Sequence, residues 1–220
     1  MTKISVIITA AGKSSRMEED QLKNKLPLKN KLLLPLGNRT VIENTINNVL
    51  SSNIDDCIIV LGHFADEIEK IVLNIHNERI QIVKNDPIDV GLSRSLLNGI
   101  NKSNADIVLC VAGDQPSVSE FTYNNILNYL LNSKTPEKTI SILRRKKKGL
   151  LKNANGLGMP FAVNRLELAK YIENENDNLN PILKKMFDDG FIFFGIEEEN
   201  EHELININKQ NDYELILNNL

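Results

Sequence analysis

Ile4-Ser5-Val6-Ile7-Ile8-Thr9-Ala10-Ala11-Gly12-Lys13-Ser14-Ser15-Arg16-Met17 passes from an apolar run into a turn of small, hydroxyl and cationic residues. A strand over Ile4 to Thr9 that ends in small residues, then offers backbone N–H groups and Arg16, is suited to hold a polyphosphate. Another lysine, Lys31, opens the run Lys31-Leu32-Leu33-Leu34-Pro35-Leu36-Gly37. Gly12-Lys13-Ser14 imitates the close of a Walker A loop, but that motif needs an earlier glycine where this chain has Ile7, inside the strand. A dinucleotide fingerprint is excluded as well, because the turn holds a single glycine. A tight turn after a strand also carries Ala-Gly-Ser for backbone reasons alone, so the turn acquires a function only from a second site.

That second site is Asp106-Ile107-Val108-Leu109-Cys110-Val111-Ala112 followed by Gly113-Asp114-Gln115-Pro116. The apolar run reads as a central buried strand and Gly113 ends its pairing. Asp114 then stands at the carboxyl edge of the sheet, where ligands bind in open α/β folds, and a carboxylate there can hold a divalent cation on phosphate oxygens. The alternative is that Asp114 caps the turn before Pro116.

Outward from these two strands, Asp56 to Leu61, Ile80 to Lys84 and Thr139 to Leu143 have strand character. Helical faces run over Val41 to Asn53, Ala65 to Leu73, Ser93 to Asn101 and Glu120 to Leu131. Thr40 with Glu43 forms a capping box for the first of them. Strand and helix in alternation imply a Rossmann-like, three-layer α/β fold with a mostly parallel sheet and right-handed crossovers. Past residue 144, strands are expected at Met159 to Val163, Phe191 to Ile196 and Leu204 to Ile207, with helices at Arg165 to Glu173, Pro181 to Asp188 and Asp212 to Leu220. Glu173 to Asn180 reads as a polar linker, suited equally to mobility and to ordering around an acceptor substrate. The expectation is one domain over 1–220, in which 1–143 binds nucleotide and 144–220 binds an acceptor and completes the sheet.

Composition fits a globular enzyme: 220 residues, 41% apolar and 25% charged, suffice for one core. A net charge of -3 argues against nucleic acid as partner. The basic run Arg144-Arg145-Lys146-Lys147-Lys148 reads as a solvated loop that can attract a phosphorylated substrate by its field. Cys57 and Cys110 lie in apolar runs without Cys-x-x-Cys spacing, as core residues of a reducing compartment. No signal peptide or membrane span is visible, so the expected location is the cytoplasm, with no membrane partner. His63 at a strand end lacks ligands at metal spacing and receives no catalytic role.

The ordered motifs resemble those of the MobA-like nucleotidyltransferase family, most closely its molybdenum cofactor cytidylyltransferases. Ala10 to Met17 is similar to that group's A-A-G-x-S-x-R-M, Lys31 to Gly37 to its K-x-L-L-P-L-G, and Gly113 to Pro116 to its G-D-Q-P. Gly91-Leu92-Ser93-Arg94-Ser95-Leu96 and Gly156-Leu157-Gly158-Met159-Pro160 resemble its G-M-S-x-S-L and G-x-G-x-P segments. The resemblance implies a nucleotidyltransferase fold and transfer of CMP from CTP, or a nucleotide from another nucleoside triphosphate, to molybdopterin or another phosphorylated acceptor. Mg²⁺ is the implied cofactor, and a molybdoenzyme or its chaperone is an implied partner. A phosphate oxygen attacks the α-phosphorus and pyrophosphate leaves, so positioning and charge neutralisation carry the catalysis and no protein nucleophile is needed. Ala10, Ala11, Gly12 and Ser14 would contact the nucleotide, with Ala11 near the base. Arg16 and Lys13 would hold the β- and γ-phosphates, and Lys31 would neutralise charge at the α-phosphate. Gly113 and Asp114 would face the phosphates and metal. Asn85, Asp86, Gly91, Ser93 and Ser95 would form the base and ribose edge, Ser93 being equally suited to a plain N-cap.

Two departures from the family stand out. Ile207-Asn208-Lys209-Gln210-Asn211-Asp212-Tyr213 puts Asn208 where the family has a second acidic metal ligand. An amide carbonyl ligates a hard cation without adding charge, and a related sugar-nucleotide branch uses asparagine at the analogous place. Residues 18–30 form an insertion, acidic then basic, suited to a lid, and its Lys25-Leu26-Pro27-Leu28 offers Lys25 as a competitor for the role of Lys31. The Ala10-Ala11-Gly12 start favours the cytidylyl over the guanylyl branch. The alternatives are a sugar-phosphate or other small-phosphate nucleotidyltransferase, a GTP-using molybdopterin guanylyltransferase, and a catalytically weak nucleotide-binding or cofactor-delivery protein.

Overall fold

The computed structural model describes residues 2–144, 148–176 and 178–219, so Arg145, Lys146 and Lys147 of the basic run, Asp177 of the polar stretch and Leu220, the expected limit of the last helix, lie outside it. The first half alternates strand and helix: β1 (Ile4–Ala10), α1 (Ser15–Lys23), a short ribbon β2 (Pro35–Leu36) and β3 (Arg39–Thr40), α2 (Val41–Ser51), β4 (Asp56–Leu61), α3 (Ala65–Leu73), β5 (Ile80–Lys84), α4 (Leu92–Lys102), β6 (Ile107–Ala112) and α5 (Glu120–Leu131). Then come β7 (Thr139–Leu143), β8 (Gly149–Leu150), β9 (Phe161–Asn164), α6 (Arg165–Ile172), α7 (Leu179–Asp188), β10 (Ile192–Ile196) and α8 (Gln210–Leu217).

Eight strands make one sheet in the order β5-β4-β1-β6-β9-β7-β10-β8. β5, β4, β1 and β6 pair in parallel, β9 runs antiparallel to β6 and β7, and β10 returns parallel to β7. The sheet is therefore mostly parallel. The strands after residue 144 join the same sheet rather than a separate one.

Alternation along each strand divides the core between the two faces. Val6, Ile8, Ile59, Leu61, Leu109 and Val111 join the cluster under α2, α3 and α5, while Ile7, Ile58, Val60, Val108 and Cys110 join that of α4, α6 and α7. Each such fully buried Ile, Leu or Val contributes about 1.5–3 kcal/mol relative to exposure, which is why continuous apolar runs mark these strands. Gly99 lets α4 approach the sheet closely, since a Cβ there would lie 2.5 Å from Ile7 Cγ2.

Helix α2 starts at the capping box read from the sequence, with Thr40 N donating to Glu43 Oε2 at 2.7 Å. Residues Glu18 to Lys23 continue α1, Asp20 accepts from Gln210 N at the start of α8, and buried Gln21 accepts from Lys29 N. The segment Leu204 to Ile207 is not a strand. Buried Glu203 accepts from Ser119 N, Thr122 Oγ1 and Glu199 N, which winds Glu201–Leu204 into a 3-10 turn under the start of α5. Ile207 N then donates to the Asp114 carbonyl instead of to a neighbouring strand. Strand β9 begins at Phe161, two residues later than its apolar pattern suggests, because Pro160 has no N–H to give a ladder.

Candidate active site

Strand β1 lies between β4 and β6, so the chain leaves its carboxyl end toward one half of the sheet and returns at β6 to build the other. Such a switch point opens a crevice beyond the strand ends. Here it has a volume of ≈ 440 Å³. Thr9 to Gly12 at the end of β1, Ala112 and Asp114 at the end of β6, Ser95 on α4, and Asn206 and Asn208 near the C-terminus all line it, together with Arg16 and Lys31.

The phosphate-loop candidate is shorter than the sequence pattern suggests, because Arg16 and Met17 already belong to α1. Ser14 takes the left-handed conformation (φ 62°) and its carbonyl receives Met17 N and Glu18 N. Its hydroxyl accepts from Lys31 N at 3.2 Å, which ties the two motifs together. Gly12 is exposed, its φ is not left-handed, and an added Cβ would meet no protein atom within 4 Å. Nothing in the protein's own packing requires a glycine at that position. Ala11 is backed tightly instead: His63 N donates to its carbonyl, and a Cβ on Gly62 would fall 2.9 Å from the Ala11 Cβ.

Lys31 lies in a 3-10 turn, Lys31–Leu33, capped by Asn30. Its ammonium contacts Asp114 Oδ2 and donates to Asn208 Oδ1 at 3.2 Å. The Lys31 and Asp114 side chains are only 16% and 13% exposed, so this pair is largely withdrawn from water. Asn206 Nδ2 holds the other carboxylate oxygen at 3.1 Å, and Gln115 Nε2 reaches Asn206 Oδ1 at 3.4 Å. Asn208 N is itself fixed by Asp212 at the start of α8. Lys25 is exposed beyond the end of α1 and does not line the crevice.

Arg16 lines the crevice and forms no ion pair among the described residues. Lys13 does have a partner: its ammonium is 2.8 Å from Asp89 on the loop after β5, and His63 Nε2 is 3.8 Å from the same carboxylate. The hydrogen bond from Lys13 lowers the Asp89 pKa. Gly113 is a packing glycine, since a Cβ would fall 2.9 Å from Ile42 Cδ1.

The base-edge residues divide. Ser95 lines the crevice and donates to the Gly91 carbonyl. Asn85 is buried, with its amide spent on Ser95 Oγ and Asn98, so it shapes the loop from behind. Asp86 is exposed outside the crevice lining, and Ser93 is buried inside α4, where Gly91 is the N-cap. Gly91 N donates to Asn176 Oδ1 at 2.7 Å, so the polar stretch is docked on the nucleotide-side loop at that point. Of the basic run, Arg144 pairs with Glu198 and Lys148 with Glu197, which leaves those two cations neutralised locally.

Asn206 and Asn30 were not singled out by sequence. Asn206 carried a signal in retrospect, since residues two apart on an extended segment share a side and Asn208 was already a candidate. Asn30 carried none beyond its place before Lys31.

A switch-point crevice holding a lysine, a carboxylate, an arginine without an ion pair among the described residues and an open glycine turn is suited to a phosphorylated ligand. The sequence matches the family model of the MobA-like NTP transferase domain over residues 6–165, and the chain belongs to that family. A nucleotidyl transferase from Methanothermobacter thermautotrophicus is similar over 99% of this chain and 97% of its own, at 42% identity and a TM-score of 0.91. The fold alone is shared with a 4-diphosphocytidyl-2C-methyl-D-erythritol synthase from Anaerococcus prevotii, at 20% identity and TM-score 0.72 over 99% and 96% of the two chains. The bifunctional protein GlmU of Francisella tularensis subsp. novicida is 28% identical over 125 residues, 57% of this chain and 25% of GlmU. The match thus spans a quarter of that relative's length. No helix among the described residues is long and apolar enough to cross a membrane.

Proposed function

We propose that the chain transfers CMP from CTP to molybdopterin, releasing pyrophosphate, with Lys31 and Arg16 as the cations at the phosphates and Asp114 and Asn208 as metal ligands. The observation that carries this reading is the convergence of Lys31, Asp114 and Asn208 at the β1–β6 switch point. Two oxygens, one charged and one neutral, already face a cation there, which is the donor chemistry a hard divalent ion needs. Mg²⁺ bound by Asp114 and Asn208 would supply positive charge to the phosphate oxygens.

The residues themselves have separate tasks. The Lys31 ammonium meets charge developing at the α-phosphorus as the acceptor phosphate oxygen bonds to it and the bridge to pyrophosphate breaks. Arg16, unpaired within the described chain, holds the departing phosphates. The open face of Gly12 admits the triphosphate against backbone N–H groups. Ala11, with Gly62 at its back, has no space to yield, which favours a pyrimidine over a purine. Molybdopterin as acceptor rests on the ordered motif set, and residues 144–220 are the part assigned to hold it.

Transfer to a sugar phosphate is the second reading, favoured by Asn208 in place of an acidic ligand. The experiment is pyrophosphate release from CTP and Mg²⁺ with molybdopterin or with a hexose 1-phosphate. Release with molybdopterin alone is expected. Release only with the sugar phosphate moves the assignment to the second reading, and nucleotide binding without release under either condition marks a cofactor-delivery protein.

A further inference from the structure

Asn30 precedes Lys31 on the wall of the crevice and is only 6% exposed. Its Oδ1 accepts from Leu32 N at 2.8 Å, capping the turn that carries Lys31. That bond fixes the orientation of the amide: a backbone N–H can be met only by the oxygen, so the NH₂ group must occupy the other position. There Nδ2 is buried and has no hydrogen-bond partner. A buried donor left unmatched costs on the order of 1–3 kcal/mol, and folded proteins rarely retain one without a use.

We infer that Asn30 Nδ2 is a nucleotide-binding donor that meets a phosphoryl oxygen of the triphosphate beyond the α-phosphate. The inference rests on the nucleotide reading of the crevice. Asn30 is joined directly to Lys31, whose backbone N–H is anchored on Ser14 of the phosphate turn, so its amide belongs to the phosphate side of the site. One residue thereby does two things: its oxygen shapes the turn that aims Lys31, and its nitrogen receives the ligand. A neutral donor adds orientation at this place without adding to the charge of Lys31 and Arg16.

The test separates the two halves of the side chain. Asn30→Asp and Asn30→Ser both keep an oxygen for Leu32 N and both lose the donor. Binding of CTP and of CMP is measured by titration calorimetry for wild type and both variants in Mg²⁺, with thermal unfolding as the control for the turn. The expected result is CTP affinity weakened about tenfold in Asn30→Ser, and more in Asn30→Asp because of the added negative charge, with CMP affinity unchanged in Asn30→Ser. In the wild type, the Asn30 side-chain amide proton signals in NMR should shift on adding CTP and not on adding CMP, a readout that survives even if a variant fails to fold. Equal weakening of CMP and CTP in Asn30→Ser, no weakening of CTP, or an amide signal indifferent to CTP would each overturn the inference. A wild type that binds no nucleoside triphosphate would instead overturn the functional reading beneath it.

Discussion

Replacing Lys31 by alanine removes the one ammonium that touches both Asp114 and Asn208, and its consequences for turnover and for stability differ in size. For turnover, a preorganised group facing the reacting phosphate in a partly desolvated site is worth roughly 2.7–4 kcal/mol, or about 10²–10³ in rate. For folding, losing one partner of a fully buried pair costs about 3–5 kcal/mol. This pair retains 16% and 13% exposure, and Asn206 continues to satisfy one Asp114 oxygen, so screening reduces that figure to about 1 kcal/mol. In a chain of this length that lowers the melting temperature by only about 2–4 °C. The assay is pyrophosphate release at saturating CTP, Mg²⁺ and molybdopterin, paired with calorimetric CTP binding. Turnover should fall by about two to three orders of magnitude while affinity changes a few-fold, and Lys25→Ala should change neither. Turnover of Lys31→Ala within about threefold of wild type would refute the assignment.

Gly12→Ala should leave stability within about 1 kcal/mol, because the new Cβ meets no protein atom, yet weaken triphosphate binding measurably by calorimetry. Gly99→Ala should do the reverse: its Cβ would press on Ile7 and Val60, costing about 1–3 kcal/mol in thermal or urea unfolding, with the CTP affinity of the folded fraction unchanged. Cys57 and Cys110 are both fully buried, and burial pushes the Cys57 thiol from 9.0 up to about 12. The unfolded thiol then loses its proton before the folded one, so stability should fall as pH rises between 9.0 and about 12, by up to about 1.4 kcal/mol per pH unit from this group. Urea unfolding across that range checks the sign, and thiol reagents near pH 8 should modify neither cysteine until the protein unfolds.

The parts of the fold legible in sequence are those where a single local force decides. Asp56–Leu61, Ile80–Lys84, Ile107–Ala112, Ala65–Leu73 and Glu120–Leu131 begin and end where their apolar patterns do, because burial of one face or both sets their limits. The Thr40–Glu43 box is local too, as both of its partners lie within one turn. What was not legible depends on distant residues. Leu204 to Ile207 has a strand's composition, but Glu203 and the Asp114 carbonyl, far apart in sequence, draw its backbone elsewhere. The antiparallel pairing of β9 with both β6 and β7 is a property of the sheet that no period-two pattern records.

The site divides along the same line. Lys31, Asp114 and Asn208 were candidates from motif order, and the structure brings the three together across as many as 177 positions. Asn30 and Asn206 are less legible, because an asparagine's value lies in which of its amide atoms is already used. Lys13 is paired with Asp89 on the loop after β5, and His63, after β4, approaches the same carboxylate, a meeting of three loops that no local pattern records.

The most direct measurement is calorimetric titration of the purified protein with CTP, GTP, UTP and ATP, each with Mg²⁺ and again with EDTA. CTP should bind most tightly and lose affinity when the metal is removed. Binding of none of the four in Mg²⁺, or binding indifferent to both base and metal, would contradict the assignment of this crevice as the seat of nucleotidyl transfer.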